Sequence, residues 1–315
     1  MTDEEYEFVL TDRIAKIQAI NEQYDLEHNA YLSFSGGLDS VIVSRLLDIA
    51  LPNNNIPRVY ANTGIEYVKM VKFVKSKALD DERFIILNQT KNIKKTLNEY
   101  GYPFKSKEHS LRVEQFNKGH NSNYIKKYIT GYDFAKGKQS RFVCPNILLY
   151  QFEEKGKYNY SNKCCYKLKK ALLHQWQIDN KKKMVITGMK NEEGGNRARL
   201  GCISDNGKKF HPLIVVSSEW EQEFIERERE RVCDLYKPPY NFKRTGCKGC
   251  PFDLNIQETL NTMYKLLPNE YYQCLHLWKP VYDEYIRIGF RLKYYPHERG
   301  VQMNLFDYIN IKETE

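Results

Sequence analysis

Short apolar runs alternate with amphipathic stretches along the first hundred residues of this chain. Residues 5–24 carry Phe8, Leu10, Ile14, Ile17 and Ile20 close to helical spacing, which predicts an amphipathic entry helix. Ala30–Phe34 then reads as a short buried strand, and Leu38–Ala50 as a helix with Val41, Ile42, Leu46 and Ile49 on its core face. The alternation continues with strand Arg58–Ala61 and helix Glu66–Leu79, then strand Phe84–Leu87 and helix Ile93–Tyr100. Strands separated by helices predict an α/β fold with a doubly wound, mostly parallel sheet.

The pattern lapses from Gly101 to about Tyr160. That stretch is rich in Lys, Gly, Asn and Tyr, so it reads as an insertion with lid-like or partner-binding potential. Regular structure resumes with helix Cys164–Ile178 and strand Met184–Thr187. Past Trp220 the chain reads mainly as helices, Gln257–Leu266 and Tyr271–Ile288 among them, around a cysteine-bearing loop at Thr245–Pro251. The expected organisation is an N-terminal helix (1–28), a nucleotide-binding domain (29–220) with its insertion (101–160), and a helical C-terminal region (221–315) carrying the C-x-x-C loop.

Composition narrows the functional classes. With 315 residues, 41% hydrophobic and 28% charged, the chain has the make-up of an ordinary globular protein. No uninterrupted apolar stretch is long enough to span a bilayer, and the acidic start MTDEEYE is unlike a secretory signal, so a cytoplasmic location without a membrane partner is expected. A formal charge of +9 favours an anionic partner, whether a nucleotide, tRNA or DNA, although a solvated run such as Lys181-Lys182-Lys183 accounts for part of it. Eight cysteines in a reducing compartment argue for metal or redox chemistry rather than a disulfide framework.

The segment SFSGGLDS follows a predicted strand and opens a predicted helix, the context that a phosphate-binding loop requires. Gly36 and Gly37 allow close backbone approach and positive φ, and the helix N-terminus then faces the anion. Ser35 and Ser40 add hydroxyls. A carboxylate at Asp39 would repel bare phosphate, and it becomes favourable where Mg²⁺ lies between the two. No G-x-x-x-x-G-K-[ST] sequence occurs, which sets the chain apart from P-loop kinases and GTPases.

Four cysteines, the adjacent pair Cys164–Cys165 and the C-x-x-C pair Cys247–Cys250, suit a 4Fe-4S cluster or a structural zinc. Adjacent cysteines fit tetrahedral zinc poorly, which favours the cluster. Of the rest, Cys233 and Cys274 fall in helical patterns as buried thiols, and Cys144, before a proline, reads as a structural cysteine or a reactive one.

Ser35–Ser40 resembles the PP-loop signature of the adenine nucleotide α-hydrolase-like superfamily, specifically its phosphoadenosine phosphosulfate reductase-like branch. The similarity continues in Asn62-Thr63-Gly64-Ile65-Glu66, with Asn62 in place of an aspartate. It continues again in Thr187-Gly188-Met189-Lys190 through Glu193 and Arg197, with Lys190 replacing arginine and Gly194 serine, and in His211-Pro212-Leu213 and Leu235–Phe252. The two cysteine pairs are similar to the cluster-binding arrangement of adenylylsulfate reductases and to sulfur-transfer proteins of DNA phosphorothioation. The resemblance implies that Ser33, Ser35, Gly36, Gly37, Leu38, Asp39, Ser40, Asn62, Thr63, Gly64, Gly188, Lys190, Glu193 and Arg197 bind ATP or a sulfated adenine nucleotide. Asp39, Lys190 and Arg197 would take the catalytic roles.

Three functions fit this reading. One is an ATP pyrophosphatase that adenylates an acceptor for sulfur transfer, the acceptor a nucleic acid or a small molecule, with a possible homodimer. The second is a sulfonucleotide reductase. Its C-G-x-H nucleophile has only a superficial counterpart in Cys274-Leu275-His276, which lacks the glycine and reads as helix. The third is a non-catalytic nucleotide-binding component of a nucleic-acid modification or defence complex.

Overall fold

The computed structural model describes residues 1–298 and, within the turn 191–199, only the backbone of 193, 195 and 196. The end of the expected C-terminal region, from 299 on, therefore lies outside the described residues. The chain forms two compact units, each assembled from two stretches: 1–89 with 169–245, and 90–168 with the segment from 246.

Eight strands are present among the described residues: β1 (Ala30–Ser33), β2 (Arg58–Asn62), β3 (Phe84–Asn88), β4 (Tyr132–Asp133), β5 (Lys138–Gln139), β6 (Met184–Ile186), β7 (Ile203–Ser204) and β8 (Lys209–Phe210). Six of them build the sheet of the first unit in the order β3-β2-β1-β6-β8-β7. All neighbours in it are parallel except β7 and β8. The mostly parallel α/β sheet expected from the alternation is therefore the observed fold, and the helical region bearing the C-x-x-C loop follows it.

Local sequence accounts for the framing helices. The first, Asp3–Tyr24, starts on a capping box in which Thr2 and Glu5 satisfy each other's backbone N–H groups. On one face of the sheet, Tyr31, Val59, Ala61 and Leu173 form a buried cluster with Ile85, Leu87, Leu172, Trp176 and Val185 around it. Helix Ala171–Asp179 covers this face, and Trp176 meets Tyr31 edge-on at 5.3 Å. The strand order reverses between β1 and β6. In an open α/β sheet, ligands bind beyond the carboxyl ends of the strands at such a switch point. The loop Phe34–Gly37 leaves β1 there, and Thr187–Lys190 leaves β6.

The second unit differs most from expectation. The predicted insertion contains helices Lys107–Asn117 and Asn123–Thr130, the hairpin β4–β5 and a 3-10 stretch Asn146–Phe152. Its helices start on Ser106 and Ser122 caps, and its interior is partly polar, which hides the usual apolar period. His109 is fully buried, with Nδ1 on the Tyr128 hydroxyl at 2.9 Å and Nε2 on Gln151 Oε1 at 2.8 Å. Burial pushes the His109 imidazole down to about 4. An imidazole that titrates lower in the folded state leaves the unfolded chain binding more protons between about pH 6.5 and 4. Stability should therefore fall by about 3 kcal/mol as the pH drops through that window. A His109→Gln variant should flatten this loss in urea denaturation at pH 6.5 and 4.5.

The predicted single helix Cys164–Ile178 is interrupted. A short α-helical turn, Lys163–Cys165, leads into a π-helical turn, Tyr166–Lys170, before Ala171–Asp179. Turns of this kind are frequent where a helix carries functional side chains. Among the described residues no helix is long and apolar enough to cross a membrane.

Candidate nucleotide and thiol sites

The candidate phosphate loop is closed by its own serines. Ser33 ends β1, and the helix Leu38–Ala50 starts at Leu38 with Gly37 as its N-cap and no side-chain cap. Ser40 Oγ donates to Gly37 O at 2.8 Å and accepts from Ser35 N–H at 3.2 Å, while Gly37 N–H donates to Ser35 Oγ at 3.2 Å. Gly36 has φ +77°, and a Cβ there would stand 2.3 Å from Met70 Sδ, so the position requires glycine. Gly188 serves close approach instead: a Cβ would lie 2.7 Å from Asp39 Cβ and 3.0 Å from the Asp39 carbonyl. The Thr187-Gly188 turn thus brings the end of β6 against the residue that makes this loop unusual.

Asp39 belongs to a charged group that the sequence shows only in part. Lys190, almost fully buried, places Nζ 3.7 Å from Asp39 Oδ1, 3.9 Å from Glu192 Oε2 and 3.1 Å from Ser218 Oγ, and pairs closely with Glu221. Burial works against the Lys190 ammonium, but Glu221, Asp39 and Glu192 raise its pKa above the ordinary value. Glu221 is pulled both ways. Burial and the neighbouring Asp39 carboxylate push it up, Lys190 pulls it down, and the result is about 7. Two carboxylates share one lysine too closely for both to ionise freely. Glu221 and Ser218 escaped the sequence reading because helix Ser218–Arg227 is rich in charge, and such a helix looks solvated.

The remaining nucleotide candidates lie in the same unit. Asn62 ends β2, donating to Asn88 Oδ1 at 2.9 Å and accepting from Gly64 N–H at 3.3 Å. Both the N–H and the hydroxyl of Thr63 donate to Glu66, at 2.9 and 2.8 Å, so this turn is held by its own acid. Arg197 is partly buried in the 3-10 turn Gly195–Arg199, and the side chain of Glu193 lies outside the described residues. His211 is structural: buried, it joins Thr187 Oγ1 at 2.8 Å and Ser204 Oγ at 2.9 Å. Tyr236 was not foreseen. Its hydroxyl pairs with Thr245 Oγ1 and lies where a Cβ on Gly37 would be 3.2 Å away.

All four candidate metal-binding cysteines fall in the second unit. The Cys164 thiol is pushed far up by its hydrogen bond with Cys165, by burial, and by the nearby Cys250 and Cys247 thiols. Cys250 is likewise raised, by burial first and then by Cys247, while the Phe252 N–H acts in the opposite sense. Thiols that oppose one another's ionisation form a donor set that a cation would relieve. They are gathered, but not into one tight coordination sphere. Among the described residues no three His, Cys, Asp or Glu side chains are arranged to hold a single metal ion.

One helix holds the C-x-x-C loop by its carbonyls. Trp278 Nε1 donates to Lys248 O at 3.1 Å, the Tyr282 hydroxyl to Gly249 O, and the Tyr285 hydroxyl to Pro251 O at 2.9 Å. The spacing 278, 282, 285 puts all three on one face of Pro268–Arg287. Gly249, at φ +58°, is packed so that a Cβ would stand 2.9 Å from Cys274 Sγ. Tyr282→Phe keeps the ring and orphans a buried carbonyl, so it should cost about 1–3 kcal/mol in chemical denaturation. It should also lower the metal content of anaerobically purified protein.

The leftover cysteines are quiet. Cys144, Cys233 and Cys274 are buried and Cys202 is half-buried, with burial raising Cys144 to about 11 and Cys274 to about 12; Cys233, expected in a helix, instead precedes the 3-10 turn Asp234–Tyr236.

The first unit is a doubly wound α/β fold with a glycine-serine loop at its switch point. Residues 29–137 and 146–252 match the family model for the phosphoadenosine phosphosulfate reductase domain, and the chain belongs to that family. Among curated proteins none matches the chain. Three solved structures show distant likeness. Phosphoadenylyl-sulfate (PAPS) reductase from Candida auris, a phosphate complex, shares 12% identity over 78% of this chain and 96% of its own, with TM-score 0.42. FMN adenylyltransferase from Candida glabrata shares 12% over 78% and 64%, with TM-score 0.43. U34-tRNA thiolase NcsA from Methanococcus maripaludis, solved with its 4Fe-4S cluster, shares 16% over 87% and 80%, with TM-score 0.37.

Proposed function

We propose that the chain is a PP-loop ATP pyrophosphatase that adenylates an acceptor for sulfur transfer. The observation that carries this reading is the acidic group beside the Ser35–Ser40 loop, where Asp39, Glu192 and Glu221 gather around the Lys190 ammonium. A triphosphate beside three carboxylates and one lysine is repelled unless it arrives with a divalent cation. Asp39 and Glu221 suit Mg²⁺, which takes one or two carboxylates and completes its shell with phosphate oxygens and water. Mg²⁺ held by Asp39 and Glu221 would supply charge neutralisation for the leaving pyrophosphate. The loop and the N-terminus of helix Leu38–Ala50 cradle the phosphates, and Lys190 and Arg197 balance the charge that develops. The acceptor's nucleophile bonds to the α-phosphorus as the α–β bridge breaks, pyrophosphate departs, and a sulfur nucleophile then displaces AMP.

Cys164, Cys165, Cys247 and Cys250 are the residues that would hold a 4Fe-4S cluster, which would supply a redox or sulfur-carrying centre. The adjacent pair Cys164–Cys165 suits tetrahedral zinc, whose sites use spaced ligands, less well than a cluster. The reductase reading is weakened by Cys274, which is buried within a helix rather than available as a nucleophile. Anaerobically purified protein with Mg²⁺ and ATP, with and without candidate acceptors, should release pyrophosphate. Sulfite release from adenylylsulfate with a thiol reductant, and no pyrophosphate, would assign the chain to the reductases instead.

A further inference from the structure

Segment 118–143 of the second unit concentrates cations and exposed rings that neither site uses. Lys118, Lys126, Lys127, Lys136, Lys138 and Arg141 stand there against one carboxylate, Asp133. Lys127 is tied to Asp133 at 2.7 Å and Lys118 to Glu114, whereas Lys126, Lys136, Lys138 and Arg141 are exposed and form no ion pair among the described residues. Lys127, Lys136, Lys138 and Arg141, with Asp133, Gln139 and Ser140, line an open groove of about 460 Å³ between helix Asn123–Thr130 and the hairpin β4–β5.

In the same segment three rings face solvent: Tyr124 is 68% exposed, Phe134 60% and Phe142 46%. Each is braced from below or beside. The Arg112 guanidinium lies 5.3 Å from the Tyr124 centroid, Tyr132 meets Phe134 edge-on at 5.1 Å, and Tyr128 backs Phe142 at 5.0 Å. Leaving braced aromatic rings in water is unfavourable unless something stacks on them. A protein-docking patch would be contiguous and apolar, whereas here the rings are interleaved with unpaired cations. Flat rings for bases, cations for phosphates and a polar groove within one segment match single-stranded nucleic acid, whose bases are free to stack.

We propose that this surface binds an unpaired stretch of nucleic acid. Its identity as the acceptor rests on the proposed pyrophosphatase function, but the binding does not. Fluorescence anisotropy without ATP, using labelled 20-nucleotide single strands of RNA and DNA, the matching duplex and anionic phosphatidylserine vesicles as competitors, tests it. Single strands should bind more tightly than the duplex and resist the vesicles, and the RNA and DNA arms identify the sugar preferred. Replacing Lys136, Lys138 and Arg141 together by alanine should reduce the slope of log affinity against log salt by about 2. Phe134→Ala and Tyr124→Ala should each weaken binding about 5- to 100-fold while leaving that slope unchanged. All five side chains are exposed, and unaltered thermal melts would show that the variants fold. Equal affinity for duplex and single strand with no effect of Phe134→Ala, displacement by the vesicles, or no binding would each overturn the proposal. ATP affinity, titrated without oligonucleotide, fails or holds independently.

Discussion

Asp39→Ala is expected to lower Mg²⁺-dependent pyrophosphate release by about 100-fold or more, the usual scale for losing one electrostatic group aimed at the reacting phosphates. The fold should survive. Asp39 lies in the first turn of its helix with 42% of its side chain exposed, so its loss removes a favourable dipole contact of about 0.3–1 kcal/mol. Lys190 and Glu221 remain to pair with each other. The variant also separates repulsion from metal binding. Without Mg²⁺, ATP should bind the alanine variant no worse than the parent, because a carboxylate has left the phosphate loop, whereas the gain in affinity on adding Mg²⁺ should vanish. Asp39→Asn, which keeps the shape, should behave like alanine. Turnover unchanged in both variants would remove Asp39 from the mechanism.

Serine at any one of Cys164, Cys165, Cys247 or Cys250 is expected to remove most of the iron and sulfide from anaerobically purified protein, turning a brown preparation pale. A thiolate is the soft donor that iron–sulfur centres need, and serine's oxygen replaces it poorly. Cys233 is the proper control, since it is buried in the other unit. Cys274 is not a neutral control, because it packs against Gly249 inside the C-x-x-C loop. Zinc without sulfide in the parent protein would retain the four ligands but replace the redox role with a structural one. Full iron content in all four serine variants would end the cluster assignment.

Much of the first unit was legible because its periodicity is strong. Helices Leu38–Ala50 and Ile93–Tyr100 start and stop where apolar spacing, glycine and loop residues place them, and strands β1, β2 and β3 differ from expectation by a residue or so at one end. The strand–loop–helix setting of Ser35–Ser40 was legible because Gly-Gly between an apolar run and an amphipathic one marks a turn into a helix. The helices between 101 and 160 were hidden, because His109, Ser110 and Gln151 are buried through hydrogen bonds rather than apolar contact. Glu221 was hidden for a related reason: a buried acid on a charged helix looks like a surface one until Lys190 arrives from a different strand's end. Trp278, Tyr282 and Tyr285 read as core filling, and they are, yet their polar atoms also bind the cysteine loop. Nor could linear spacing show that each compact unit combines two separate stretches of chain.

Titration of ATP and of phosphoadenylyl sulfate into the same anaerobic protein, each with Mg²⁺ and with EDTA, tests the central claim most directly. Three carboxylates around Lys190 predict that ATP binds more tightly than the sulfated nucleotide and that EDTA removes most of its affinity. Phosphoadenylyl sulfate binding more tightly than ATP, and equally well with Mg²⁺ or EDTA, would contradict the pyrophosphatase account.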